Sequence, residues 1–294
     1  MKVSIVTPIY NGGQYLKPFF YSLVEQMDDV EFVCVDDGST DGSRDLLKEY
    51  AFKDKRFKAI YNEHMGVGTA VDTGIKAAQG DYIMLCDDDD LLMRDAVKLL
   101  YEASEGVADV VKGTALVEQD GKLMQSNAFK SSEPLNWREF SPVMMARHFL
   151  QPPEMWTYIF KRELVPLMQG GDYMFGDTSM VFKAKILAKD FRYIPEPVYC
   201  WKIHESASHS DGYPFDIVKV YDDLEKWLKE NNINLWPVFG ASKFHAYQWN
   251  LSRLSGDARE RFKEFMRRDI KREVIGRWMM TPDANIALNL LLEE

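Results

Sequence analysis

Tyr82-Ile83-Met84-Leu85-Cys86-Asp87-Asp88-Asp89-Asp90 is the stretch from which the rest of the chain is read. An apolar run ends abruptly in four carboxylates. Short apolar runs bounded by turn residues read as buried parallel strands. The same pattern stands earlier in the chain, in Val3-Ser4-Ile5-Val6-Thr7-Pro8 and in Phe32-Val33-Cys34-Val35, which leads into Asp36-Asp37-Gly38-Ser39-Thr40-Asp41. Carboxylates at the C-terminal ends of such strands sit where open α/β sheets place their ligands. Several of them in one crevice repel each other unless a cation neutralises them. The pattern therefore points to a divalent metal and a polyphosphate ligand.

Outward from that stretch, strand and helix patterns alternate. Strands are expected over 3–8, 31–36, 57–62, 81–86 and 107–117, and helices over 15–26, 42–50, 69–78 and 94–104. Leu16, Phe19, Phe20, Leu23 and Val24 carry the helical period of the first helix. Asp41 is placed to cap the second, and Gly80 to end the third. Such alternation makes βαβ units and a mostly parallel, Rossmann-like sheet. From 119 to 151 the period is lost among Gly121, Pro134 and Pro142, which reads as a long loop of the kind that carries specificity. A helix returns over 178–188, with Met180, Val181, Ala184 and Leu187 on one face, and short strands follow at 193–194 and 198–203. After Pro214 only helices are expected, over 215–230, 243–254, 258–278 and 284–292. The expected organisation is an α/β domain over 1–213 and a helical region over 214–294.

The bulk numbers narrow the classes. A chain of 294 residues can bury a sizeable core. Its net charge of −10 argues against binding nucleic acid, which needs a basic footprint. The three cysteines, Cys34, Cys86 and Cys200, fall within apolar runs and read as buried thiols of a reducing compartment. Neither a signal-peptide core nor an apolar run of about 18 residues is present, so the reading is a soluble, cytoplasmic protein.

Each motif also has a plain structural reading. Asp36–Asp41 could be a polar turn, or its carboxylates could accept hydrogen bonds from a nucleobase or ribose. Alternation along an extended chain would point Asp87 and Asp89 the same way, so that one metal can use both. Oxygen donors of this sort suit Mg2+ or Mn2+. Gly66-Val67-Gly68 half-matches a dinucleotide fingerprint but lacks its third glycine. His204 and His209 could ligate a metal or simply bond backbone or phosphate, and His204 is the better ligand candidate.

Thr7-Pro8-Ile9-Tyr10-Asn11, Asp36–Ser43 and Gly80-Asp81-Tyr82-Ile83 leading into Asp87-Asp88-Asp89-Asp90 together resemble the family-2 glycosyltransferases of the GT-A fold. Met155–Arg162, Phe175-Gly176-Asp177 and Pro197–His204 with Ser206 and Ser208 are similar to further segments of that family, so the resemblance covers about residues 1–210. It implies an α/β nucleotide-diphospho-sugar transferase with a C-terminal helical extension. Thr7, Pro8 and Tyr10 would line a uridine pocket, with Asp37, or its rival Asp36, on the uracil imide. Asp87 and Asp88 would belong to the nucleotide-sugar site, Asp87 by contacting ribose or completing the metal site, and Asp89, with His204, would hold the metal. Asp177 would be the general base for the acceptor hydroxyl, and Lys202 would help stabilise the departing UDP. The implied reaction moves one sugar from a UDP-sugar, with inversion, to a glycan, lipid-linked or glycoprotein acceptor.

The chain departs from that pattern twice. Ala70-Val71-Asp72 stands where members often carry Ala-Arg-Asn, and Gly176-Asp177 where a Glu-Asp pair is common. The first departure motivates an alternative, a catalytically silent binding or scaffold subunit. A sugar nucleotidyltransferase is a second alternative, but Asn11-Gly12-Gly13 lacks the basic residues a triphosphate loop needs. The mixed charges of 258–278 read as a solvated helix face with i,i+4 pairs, or as a surface that meets a second subunit or an anionic membrane from the cytoplasmic side.

Overall fold

The computed structural model describes residues 2–119, 121–125, 138, 148–149, 153–168, 176–203 and 215–277. The chain divides into two compact units, one carrying the sheet and the other carrying the three long helices that follow it.

In the first unit, β1 (Val3–Ile9), α1 (Gly13–Val24), β2 (Val30–Asp36), α2 (Ser43–Lys53), β3 (Phe57–Tyr61), α3 (Val67–Ala77) and β4 (Tyr82–Leu85) follow the expected alternation. β5 (Leu91–Leu92), α4 (Ala96–Ser104), β6 (Val110–Gln119), β7 (Lys122–Gln125), β8 (Tyr158–Lys161), α5 (Val165–Met168), α6 (Gly176–Leu187) and β9 (Phe191–Lys202) complete it. The sheet order is β3-β2-β1-β4-β8-β6-β9-β5, with β7 paired to β6. β1 pairs in parallel with both β2 and β4. The chain therefore winds away from β1 in one direction and returns to its other side, which makes the C-terminal ends of β1 and β4 a topological switch point.

Apolar side chains alternate across these strands as a two-residue period requires. Ile5, Ile9, Phe32, Cys34, Met84 and Cys86 join Leu16, Phe19, Phe20 and Leu23 of α1 in one buried cluster. Full burial of each Leu, Ile or Phe stabilises by about 1.5–3 kcal/mol, so this face of α1 fixes the helix against the sheet.

Several expectations are corrected. The sheet is mixed: β8 lies antiparallel between β4 and β6, and β5 lies antiparallel on β9. β7 turns the start of the expected long loop into a hairpin with β6, through Gly121 at φ +71°; most of the remaining loop lies outside the described residues. The two short strands expected at 193–194 and 198–203 are one strand, β9, whose pairing with β6 shifts register around Thr114. That irregularity accommodates Pro195 and Pro197, which have no N–H to give a ladder. Asp41 is not the N-cap residue of α2; Gly42 is, at φ +97°, while Asp41 accepts from Ser43 N at 3.0 Å. Gly80 does not end α3 in a left-handed turn. It is glycine because a Cβ there would lie 2.6 Å from Ser4 N of β1. Helix α6 buries nearly every residue from Ser179 to Ile186, Lys183 and Lys185 included, instead of one apolar face.

The second unit holds α7 (Asp216–Glu230), α8 (Trp236–Arg253) and α9 (Gly256–Arg277). α8 starts seven residues before the expected 243, because Pro237 occupies its first turn, where a missing N–H costs nothing. Asp269, read from sequence as part of a solvated face, is buried. Lys243 Nζ lies 2.8 Å from its Oδ2, and Tyr247 Oη donates to the same oxygen at 3.1 Å. Arg268 and Glu264 do form the expected i,i+4 pair on the exposed side. The helix expected over 284–292 lies outside the described residues. Among the described residues, no helix is long and apolar enough to cross a membrane.

Candidate active site

Three loops at the C-terminal end of the sheet, those after β1, β2 and β4, and the N-terminus of α6 form the candidate site, and all but the first carry acidic residues. Asp87 follows β4, and Asp88 and Asp89 form a turn, so the extended alternation expected for them does not hold. The four carboxylates then go to different places.

Asp90 is buried and accepts from Lys202 N at 2.7 Å, tying the turn to β9. Burial and repulsion from Asp87 push its carboxyl up to about 8. Asp88 tucks beneath the α1 entry, where its Oδ2 is buried without a hydrogen-bond partner among the described residues. Gly12 makes room for it, since a Cβ there would sit 2.6 Å from that oxygen. Burial, then repulsion from Asp89 and Asp87, holds Asp88 well above the usual carboxylate range.

Asp87 and Asp89 remain together, and Asp177 joins them. Desolvation and then repulsion from Asp89 and Asp177 raise Asp87 to about 7. Asp87 is open to solvent, so the repulsion is the firmer of the two causes. Its backbone N–H donates to Tyr199 Oη at 3.1 Å, and the Tyr199 ring stacks on Trp156 at 4.6 Å. Asp177 is half-buried in the first turn of α6. Burial raises it to about 6 even though the N–H groups of Thr178 and Asp177 oppose the shift.

The nucleotide-side candidates surround the ends of β1 and β2. Thr7 is fully buried and its Oγ1 has no partner among the described residues. Pro8 is half-buried, and Tyr10 is half-exposed and stacks on His64 with centroids 4.1 Å apart. Asp36 is buried and accepts from Arg44 Nε at 2.6 Å and Ser39 N at 3.2 Å. Asp37 is buried too, and its carboxylate accepts from Met65 N at 3.0 Å and Gly66 N at 2.9 Å, anchoring the entry to α3. Both carboxylates thus serve the loops themselves. Lys202 directs its ammonium to Glu118, 3.9 Å away. His204 and His209 lie outside the described residues.

No group of three His, Cys, Asp or Glu side chains is gathered tightly enough to hold a metal alone among the described residues. Asp87 and Asp89 still suit a hard cation, because magnesium-type sites at nucleotides often use one or two carboxylates and complete themselves with phosphate oxygens. Sequence reasoning missed His64 and gave Asp90 and Tyr199 no role of their own. Only the fold shows them touching the site.

The raised carboxyls have a consequence for stability. Asp177, Asp87 and Asp90 keep protons in the folded state to about 6, 7 and 8, whereas an unfolded Asp releases its proton near 3.9. Between those values the folded state binds more protons, so stability falls as pH rises from about 4 through about 8. Thermal melting of the metal-free protein should show a decline across that window. Mn2+ with UDP should raise the melting temperature more at about pH 8 than at about pH 5, since a cation competes with those protons. A metal effect independent of pH would contradict this account.

Comparisons with known proteins agree with this architecture. The family described as Glycosyl transferase family 2 matches residues 4–182. EpsH of Bacillus subtilis (strain 168), assigned provisionally as a glycosyltransferase, is 29% identical over 246 residues, covering 78% of this chain and 70% of EpsH. Several other curated relatives match over less than half of their own length. Among solved structures, Staphylococcus aureus TarS 1–349 in complex with UDP superposes with a TM-score of 0.64 at 19% identity, over 82% of this chain and 70% of TarS 1–349. The mannosyltransferase PcManGT of Pyrobaculum calidifontis, in complex with GDP-Man and Mn2+, gives a TM-score of 0.55 at 19% identity, over 87% of this chain and 77% of that one. The fold is GT-A, and the match over more than half of its length makes this chain a member of glycosyltransferase family 2.

Proposed function

We propose that the protein transfers a single hexose or N-acetylhexosamine from a UDP-sugar to a hydroxyl of a glycan, lipid-linked or glycoprotein acceptor, with inversion and with Mn2+ or Mg2+. The observation that carries this reading is the meeting of Asp87, Asp89 and Asp177 at the switch-point end of the sheet. That proximity supports a nucleotide-diphosphate site with a base for a hydroxyl beside it.

Residues 1–213 are assigned to donor binding and catalysis, and 214–294 to a helical region with an acceptor, oligomer or membrane-surface role. Tyr10 supplies an aromatic wall for the base. Asp37 is favoured over Asp36 as the carboxylate serving the base, because Asp36 is already neutralised by Arg44 while Asp37 holds the turn at Met65 and Gly66 beside Tyr10. Asp89, together with Asp87, would hold the cation, and His204 is retained as a further ligand candidate. When bound, the cation would neutralise charge on the departing diphosphate. Asp177 takes the proton of the acceptor hydroxyl. Its raised pKa, about 6, leaves it ionised at neutral pH yet basic enough to accept that proton.

Calorimetric titration of UDP into the protein with Mn2+, repeated in EDTA, tests the reading. Binding that needs the metal supports it. Absence of binding in both conditions overturns the UDP assignment and favours another nucleotide or a silent scaffold. UTP-dependent formation of a UDP-sugar would favour the nucleotidyltransferase.

A further inference from the structure

One aromatic group at the base end of the site belongs to none of the roles above. His64 lies in the turn that Asp37 anchors, next to Met65 and Gly66. Its Nδ1 is 3.0 Å from Asp37 Oδ2 and 3.1 Å from the Asp37 carbonyl oxygen. Both are acceptors, so Nδ1 carries the hydrogen and the tautomer is set. Nε2, on the opposite edge of the ring, then presents a lone pair when the imidazole is neutral. The side chain is 56% exposed, and no partner holds Nε2 among the described residues. The ring also stacks on Tyr10, with planes 18° apart. Neither Lys nor Arg occurs between Met65 and Asp72 to serve the base in its place.

We infer that His64 is a specificity-determining residue of the nucleotide subsite. Held face-on by Tyr10, it meets the imide edge of a uracil with Nε2, and Asp37 acts as the positioning residue that orients it. The inference rests on the UDP reading above. A neutral Nε2 accepts the N3–H of uracil, whereas the same position in cytosine carries a lone pair and would face another lone pair. The carboxylate that sequence alone would put on the base works through the imidazole.

Calorimetry of UDP and CDP with Mn2+ on the full chain and on His64→Ala and His64→Phe tests this. His64→Ala, which leaves the imide N–H without its acceptor, should weaken UDP binding roughly tenfold, equivalent to about 1.4 kcal/mol. His64→Phe keeps a ring against Tyr10 but has no lone pair at that edge, so it should bind UDP no more tightly than His64→Ala and lose the preference for UDP over CDP. Unchanged melting temperatures would show that neither variant disturbs the fold. UDP binding within about twofold of the unsubstituted protein in both variants, with the UDP/CDP ratio intact, overturns the inference and leaves the proposed function standing, because such a difference is under half a kcal/mol. Failure of the unsubstituted protein to bind UDP overturns both.

Discussion

Asp177→Asn is expected to lower sugar transfer by about 10²–10⁴-fold, the range a positioned general base contributes, while UDP affinity stays close to that of the unsubstituted protein. The amide keeps the shape of the carboxyl and can still accept from the first-turn N–H groups of α6. What it loses is the ability to take a proton. In the unsubstituted protein the rate should fall as pH drops through about 6, the value to which burial raises Asp177, because only the ionised form is a base. That acid limb should be absent from whatever activity the variant retains. Transfer persisting within a few-fold would place the base elsewhere. Single-turnover transfer measured beside UDP calorimetry separates the two effects.

Asp89→Asn is expected to abolish the dependence of UDP binding on Mn2+. Partners one shell outside a metal already command about 10–100-fold in metal affinity, so a direct ligand should cost at least that. Asp89 repels Asp87, so its removal relieves strain in the metal-free protein, and the melting temperature there should hold or rise. A variant that folds with full stability yet binds UDP as weakly with Mn2+ as with EDTA identifies Asp89 as a ligand. A variant whose UDP affinity still rises on adding Mn2+ would show that the cation is held by other groups.

The parallel half of the sheet was legible because its signal is local. A buried strand such as β2, with every residue from Val30 to Asp36 enclosed, is apolar apart from Glu31, which accepts from Ser4 Oγ and Gly80 N, and Asp36 at its end, where the run of acidic residues begins. β8 and β9 were harder to read, because their pairing partners lie far away in sequence and two prolines interrupt β9. Asp269 looked like a surface charge among others until Lys243, on a different helix, was found against it. Burial of a charge is decided by its partner, and the partner is a tertiary fact.

The same division holds at the site. Sequence alone determined that carboxylates gather at strand ends, and the order of Thr7-Pro8, Asp36-Asp37, Asp87–Asp90 and Asp177 sufficed to recognise the family. Only the tertiary structure decided how those carboxylates divide their labour. Asp36 is neutralised by Arg44, Asp37 holds the turn that bears His64, Asp90 pins β9, and Asp88 is enclosed beneath Gly12. Asp89 and Asp177 are left near enough to Asp87 for each to repel it. Composition and spacing specify which groups are available, but a carboxylate's role depends on the donors and charges within a few ångströms, and those are set by chain segments that meet only in the fold.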